Sequence, residues 1–546
     1  MPHRTNFNPL QILRNICLMC VLTVFAHMAS AQQMVPLTND STKAIEIIQA
    51  QSLRQITIDS ATVLQTLAGK AIVRQGNTIL HGDSIVLNQL TGVAEVFGNV
   101  HINDADTVNT YAQYLKYIGN EQVAYLKKSV RLTDGKAVLT TEDLVYNIKT
   151  GIATYQNGGK VVNGKTVLTS SDATYYSDTR DVFFKKNVHL VDPKYDMLAD
   201  SLRYNTAFKE AYFISPTHIV SSNGVLDTRS GTYNLETGEA VFLDRTVYRD
   251  STRMMTGGKM AIDDKTGVVQ IEDNGKYVDS ANKVIVLGNQ IMLDRKNNSF
   301  LATRKPVMVL YSEKDSTYIA ADTLFSGIRK YDSLTNQSIT VRDTLRSDTA
   351  INRMPGKDSI RYFLAFHHVR IYNDSLQAAS DSLYYSTEDS TFKLFRDPVL
   401  WSHHSQITGD TMYLYTEKQQ AKLLHVYNNG MVINRTTEGF FNQIGGRTIH
   451  AYFKNGNIDF TRVKGSPAES VFYPQDDDSA YIGMNRSHGD VIDIYFVNKE
   501  LNKVKFVNEV EGTLYPIKQV PADRKFLKNF NWLDNRRPKN KLELFE

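Results

Sequence analysis

Apolar and polar residues alternate with period two along most of the chain, in short runs closed by clusters of Asn, Asp, Thr and Gly such as "NQLTG", "NIKTG", "YSDTR" and "NLETG". That alternation predicts half-buried β-strands separated by turns. The runs also repeat. A polar residue followed two positions later by an apolar residue and four positions later by an aromatic, or by leucine in the first copy, is the pattern of "DSIVL" (83–87), "QYLKY" (113–117), "EDLVY" (142–146), "DATYY" (172–176), "DSLRY" (200–204) and "RSGTY" (229–233), the fourth and sixth copies fitting more loosely with Thr174 and Gly231 at the middle position. The closing residues Leu87, Tyr117, Tyr146, Tyr176, Tyr204 and Tyr233 are spaced 30, 29, 30, 28 and 29 apart. A second ladder keeps step, in runs such as "AEVFGNVHI", "DVFFKKNVHL" and "EAVFLDRTVY", through Phe97, Tyr125, Tyr155, Phe184, Phe213 and Phe242, spaced 28, 30, 29, 29 and 29. Two ladders of one period predict a stacked repeat, since no single unit of two or three short strands can bury its own apolar face.

Leu202 and Tyr204 fall on one face, as do Phe184, Val188 and Leu190. No segment carries a long helical period; the best candidate, "TKAIEIIQAQSLRQ" (42–55), reads as a weak helix or linker. The register loosens after "GKMAI" (258–262), persists to "AADTLF" (320–325), and resumes in "SDSLYYSTEDSTFKLFRDPVLW" and "GDTMYLYTEKQQAKLLHVYNNGMVI". Between these lies a polar stretch without periodicity. The expected organisation is an N-terminal linker at 32–62, a β repeat domain at 63–328, an insertion or flexible loop at 329–359, a second repeat block at 360–515 and a tail at 516–546.

The first 31 residues differ from the rest. Arg4 and Arg14, no acidic residue, the apolar stretch "ICLMCVLTVFAHMA" and "ASA" at 29–31 read as a secretory signal peptide cut after Ala31, the alternative being a membrane anchor. Cys20 lacks the small preceding residue of a lipoprotein signal. Both cysteines, Cys17 and Cys20, lie in this segment, so the mature chain is expected to hold together without disulfides. Losing Arg4 and Arg14 lowers the formal net charge from +4 to +2, too little for a basic nucleic-acid footprint. No later run approaches the length of a transmembrane helix.

The recurrent "A-D-S-L-x-Y … A-x-F-x-x-x-V-x-L" unit, as in Ala199 to Tyr204 followed by Ala211 to Ile219, resembles the OstA or LptA-like family of periplasmic lipopolysaccharide-transport proteins, particularly its long Bacteroidetes forms. The resemblance covers residues 64–310 closely and 360–515 more loosely. It implies an all-β, elongated β-jellyroll or taco-like stack of two facing sheets, open along one edge. It further implies a periplasmic, non-enzymatic carrier or bridge whose interior shields lipid A acyl chains and whose partners are lipopolysaccharide or a related glycolipid, the inner- and outer-membrane transport components, and other copies end to end. On that reading the twelve residues of the two ladders, from Leu87 to Phe242, line the lipid groove. The chain departs from the short bridge proteins in its length and its insertion, and from the outer-membrane member in having no barrel domain.

Aromatics at strand spacing also suit an ordinary filled core, so a structural or adhesive β-solenoid is the rival reading. Catalytic chemistry has no carrier in the sequence. G-x-S-x-G, P-loop and H-E-x-x-H motifs are lacking, and the carboxylates at every turn single out no hydrolase pair. His367-His368 and His403-His404, read as strand neighbours, point to opposite faces, and Asp476–Asp478 lacks the spaced ligands of a calcium loop. Neither a metal nor a cofactor is expected. The Asp-Ser-aliphatic triplets resemble a bacterial O-glycosylation sequon, but the repeat already accounts for their spelling. The N-terminal edge, taken to lie at Val63–Val73, is expected to pair with a partner strand, and the Pro-containing tail to cap the other end.

Overall fold

The computed structural model describes residues 46–545, apart from 331–358 and a scatter of turn positions. The signal segment, most of the N-terminal linker and the polar insertion therefore lie outside the described residues. Within them nearly everything is strand, and four short 3-10 turns follow at the C-terminal end.

A 29-residue period corresponds to two strands of about a dozen residues, each bent at its middle. Asp181–Asp192 pairs its first half with Asp172–Tyr176 and its second half with Thr166–Ser170. The next strand, Tyr195–Asn205, pairs one half with Glu210–Phe213 and the other with Thr217–Ser221. The half-strands thus build two antiparallel ladders joined along a line of corners. Buried apolar rows run up the facing side of both, so the two sheets close on each other.

The corners have one mechanism. The pairing slips by one residue between Phe97 and Val100, Lys127 and Val130, Lys185 and Val188, Phe366 and Val369, and Tyr427 and Gly430. At each slip two consecutive residues take left-handed backbone: Gly98-Asn99, Lys128-Ser129, Lys186-Asn187, His367-His368 and Asn428-Asn429. Such a double step turns the strand sharply while returning the side chains beyond it to the inner face. Phe184 and Val188, on either side of a corner, are both buried. A polar residue on the adjoining strand pins the bend. Asn99 donates to both oxygens of Asp83 at 3.2 and 3.0 Å, Lys186 lies 2.8 Å from Asp172, and Asn429 donates to Asp410 at 3.1 Å. Asp83 and Asp172, the leading polar residues of "DSIVL" and "DATYY", are therefore corner pins.

The opposite ends of the strands close through Asx turns. The Asn147 side chain accepts from the Thr150 N–H at 2.9 Å, Asn205 from Ala207 and Phe208 at 3.0 and 2.9 Å, and Asn234 from Glu236 and Thr237, both at 2.9 Å. These are the turn clusters that punctuate the sequence.

The chain packs as two compact units divided between Val269 and Gln270, a division inside the expected first repeat block. In the second unit, strands Thr323–Lys330 and Ser359–Tyr372 pair in antiparallel register from Lys330 opposite Ser359 to Thr323 opposite Phe366.

Several expectations are corrected. The segment expected as a helix or linker contains two strands, Glu46–Gln49 and Ser52–Asp59, both paired with Thr62–Gln75. That strand is also paired with Thr78–Asn88, so Val63–Val73 is interior to the sheet and the N-terminal edge lies at 46–59. Strands exposed on both faces need no period-two alternation, which is why the sequence concealed them. His367-His368 occupies a corner, each ring bonded to its own carboxylate, Asp381 at 3.1 Å and Asp322 at 2.9 Å; His403-His404 lies in the turn before Ser405–Thr408. The tail turns away from the exposed terminal strands Glu500–Val507 and Glu511–Pro516 and runs back over the second unit.

Candidate functional site: the apolar interior

Two rows of side chains line the inner face of the first sheet in the first unit. Cross-strand register gives the outer row, nearest the turns, as Leu87, Ala94, Tyr117, Ala124, Tyr146, Ala153, Tyr175, Val182, Tyr204, Ala211, Tyr233 and Ala240, each directly opposite the next. Directly opposed residues sit about 4.5–5.5 Å apart, so two rings cannot share a rung without crowding; a small residue on every second strand makes room for each tyrosine. The 29-residue period of "L-x-Y" and "A-x-F" is this alternation written along the chain.

The second row lies deeper, toward the corners. Ile85, Val96, Leu115, Leu126 and Leu144 lead to Ala173, Phe184, Leu202, Phe213, Gly231 and Phe242. Phe213 and Phe242 flank Gly231 with ring centroids 6.1 Å apart. A Cβ on Gly231 would meet the Phe242 ring at 2.8 Å, and one on Gly159 would meet the Tyr155 ring at 2.3 Å. Tyr155 bonds Ser170 Oγ at 2.7 Å across the interior, and burial pushes its hydroxyl up to about 12.

Of the twelve ladder residues, nine face inward: Leu87, Tyr117, Tyr146, Tyr204 and Tyr233 in the outer row, and Tyr155, Phe184, Phe213 and Phe242 deeper in. Three face out. Tyr176 is 37% exposed and packs edge-on against Phe183, Phe97 is 40% exposed against Tyr114, and Tyr125 stands opposite Lys116 and Val145 on the outer surface. Their inward neighbours are Tyr175, Val96 and Leu126. The signal that separates them is the period itself: Tyr146, Tyr175 and Tyr204 are 29 apart, as are Leu126, Tyr155 and Phe184. Selecting aromatics over strict spacing admits the wrong neighbour.

The interior is not uniform. From Ala153 to Ala240 the outer row is at most 3% exposed, a closed and filled core. From Leu87 to Tyr146 the same row is only half-buried, and Leu80 and Ile102 on the facing sheet are half-buried too. The lip between the sheets therefore opens over the first repeats. What this arrangement offers chemically is apolar surface. Among the described residues no three His, Cys, Asp or Glu side chains gather where they could hold a metal ion, and no helix is long and apolar enough to cross a membrane.

Comparison with known proteins agrees with the repeat. The profile of the family described as OstA-like protein matches residues 42–200 and 197–258. The solved structure of LptH from Pseudomonas aeruginosa, described as the LptA homologous periplasmic component of the conserved lipopolysaccharide transport device, aligns at 15% identity over 30% of this chain and 77% of its own, with a TM-score of 0.09. That score carries no weight for the fold, which rests on the strand pairing above. Curated proteins yield no match. Over residues 42–258 the chain is thus similar to the family described as OstA-like protein, and the part that matches is the 29-residue repeat whose strands build the two facing sheets.

Proposed function

We propose that this protein is a non-enzymatic periplasmic carrier or bridge, associated with the outer membrane, that shields the acyl chains of lipopolysaccharide or a related glycolipid between its two sheets. The observation that carries this reading is the unbroken inward apolar row whose outer lip opens between Leu87 and Tyr146. Entry of a chain there removes methylene groups from water at about 0.8 kcal/mol each, so a few buried carbons per chain suffice without polar contacts. The first repeats are the entry region. Beyond Ala153 the filled core admits a chain only if the sheets part, and that closed stretch is what favours the rival, a structural β-solenoid. Mass spectrometry of lipids co-purifying with the mature protein separates the two: the carrier retains an acylated glycolipid through detergent-free purification, whereas the solenoid retains none above an unrelated β-protein control.

Bridging needs partners at the ends. Among the described residues Ser52–Asp59 pairs on one side only, and Ile47, Ile48, Leu53, Ile56 and Ile58 are 44–62% exposed. An exposed aliphatic edge strand is a template for another strand, from a membrane partner or a second copy. Of two adjacent residues in a strand, one directs its N–H to the neighbour and one to the free edge. Of Arg54→Pro and Gln55→Pro, one should abolish association in sedimentation while keeping the circular dichroism of the parent. Unchanged association in both would exclude this edge.

A further inference from the structure

The outer face of the second sheet in the second unit is unlike that of the first. On the inner side Ile371, Ala378, Leu400, Ile407, Val432 and Ile444 succeed one another across the strands as an ordinary core row. On the outer side of the same strands run Gln377, Trp401, Gln406, Ile433, Gln443 and Val471. In the first unit the comparable outer position is a solvent-facing hydrogen-bonded pair, His218 with Asp227. In the second unit Trp401, Gln406, Ile433, Gln443 and Val471 are fully buried, and what buries them is the tail after Pro516.

The tail is gripped by its backbone. Gln443 donates through Nε2 to the Lys525 carbonyl at 2.9 Å and accepts through Oε1 from the Leu527 N–H at 2.8 Å. Gln406 repeats the arrangement, donating to the Asn531 carbonyl at 2.7 Å and accepting from the Leu533 N–H at 2.8 Å. In both cases a buried side-chain amide satisfies the carbonyl of residue i and the N–H of residue i+2, the pairing a neighbouring strand would offer. In both, residue i+2 is a leucine preceded by an aromatic, Phe526-Leu527 and Trp532-Leu533. Leu527 fills a pocket of Met431, Ile433, Val471 and Met484, and Leu533 packs on Val399 and Trp401. Further along, Arg537 bonds Gln377 Oε1 at 2.6 and 2.9 Å and the His403 carbonyl at 2.8 Å, and Leu544 seats against Val307 and Val309.

We infer that this outer face is a peptide-binding groove with two equivalent subsites, each a buried glutamine amide beside a leucine pocket, and that the C-terminal tail is its exchangeable ligand. It takes an extended segment carrying two aromatic-leucine pairs six residues apart. The face is too apolar to stand in water uncovered, and the strap lies on it as one extended segment held by discrete anchors: the leucine pockets, the Gln406 and Gln443 amides, and Arg537 on Gln377. That is the pattern of a bound peptide.

The test uses the full chain with a specific protease site inserted after Pro521, so that the protein folds with its tail in place before the cut. After cleavage, a fluorescein-labelled peptide of residues 522–546 is added and its anisotropy followed. The groove predicts that the labelled peptide exchanges in with one site per chain. Peptides carrying Leu527→Ala or Leu533→Ala should compete at least tenfold more weakly, and Gln406→Leu with Gln443→Leu in the body should weaken binding by a similar factor. Failure of the labelled peptide to enter, unfolding of the body when the cut tail departs, or binding indifferent to both leucines would each overturn the proposal.

Discussion

Tyr233 and Tyr176 are spelled alike in the repeat and have opposite fates. Tyr233 is fully buried between Ala211 and Ala240, whereas Tyr176 lies on the outer surface opposite Asp181. Truncating a buried ring costs the transfer term and leaves a cavity the sheets cannot fill, about 3–5 kcal/mol. An exposed ring with a single edge-on neighbour is worth under about 1 kcal/mol. Tyr233→Ala should therefore lower the urea midpoint far more than Tyr176→Ala, and equal effects would refute the assigned facing. The sequence disclosed the inward row because tyrosine and alanine alternate at a fixed interval. It hid the three exceptions because Tyr176, Phe97 and Tyr125 are aromatics next to the true inward positions, and a strand has an aromatic-tolerant outer face as well as an inner one.

At the scale of the element, the corner is what makes a 29-residue repeat into two facing sheets, and it was the least legible part. Left-handed backbone is usually announced by glycine. Here glycine marks the Gly98-Asn99 corner, but Lys-Ser, Lys-Asn, His-His and Asn-Asn pairs carry those at 128–129, 186–187, 367–368 and 428–429, with no common spelling beyond polarity. Asn187, at φ 55°, tolerates that geometry; a β-branched residue there would add about 1–2 kcal/mol of strain. Asn187→Val should thus destabilise by that amount in thermal melts while Asn187→Gly stays within about 0.5 kcal/mol of the parent. If valine and glycine behave alike, the bend is not held by backbone conformation. The tail was equally opaque to sequence, for a different reason: its apolar anchors, Leu527 and Leu533, stand in basic, polar text without a strand period, and the glutamines that grip its main chain leave no mark on it.

For the molecule as a whole, stack and function are one question, since the row that holds the sheets together is the row that would hold a lipid. The packing divides it into a closed stretch from Ala153 to Ala240 and an open lip from Leu87 to Tyr146. The period alone could not draw that boundary, because tyrosine alternates with a smaller residue on both sides of it. The most direct measurement is site-specific photo-crosslinking in living cells, with the crosslinker placed in turn at Tyr117 and Tyr146, which face the lip, and at Tyr125 and Tyr176, which face solvent. The carrier account predicts a glycolipid adduct at Tyr117 and Tyr146 and none at Tyr125 or Tyr176. Equal yields at all four positions, or no adduct at the lip, would contradict it.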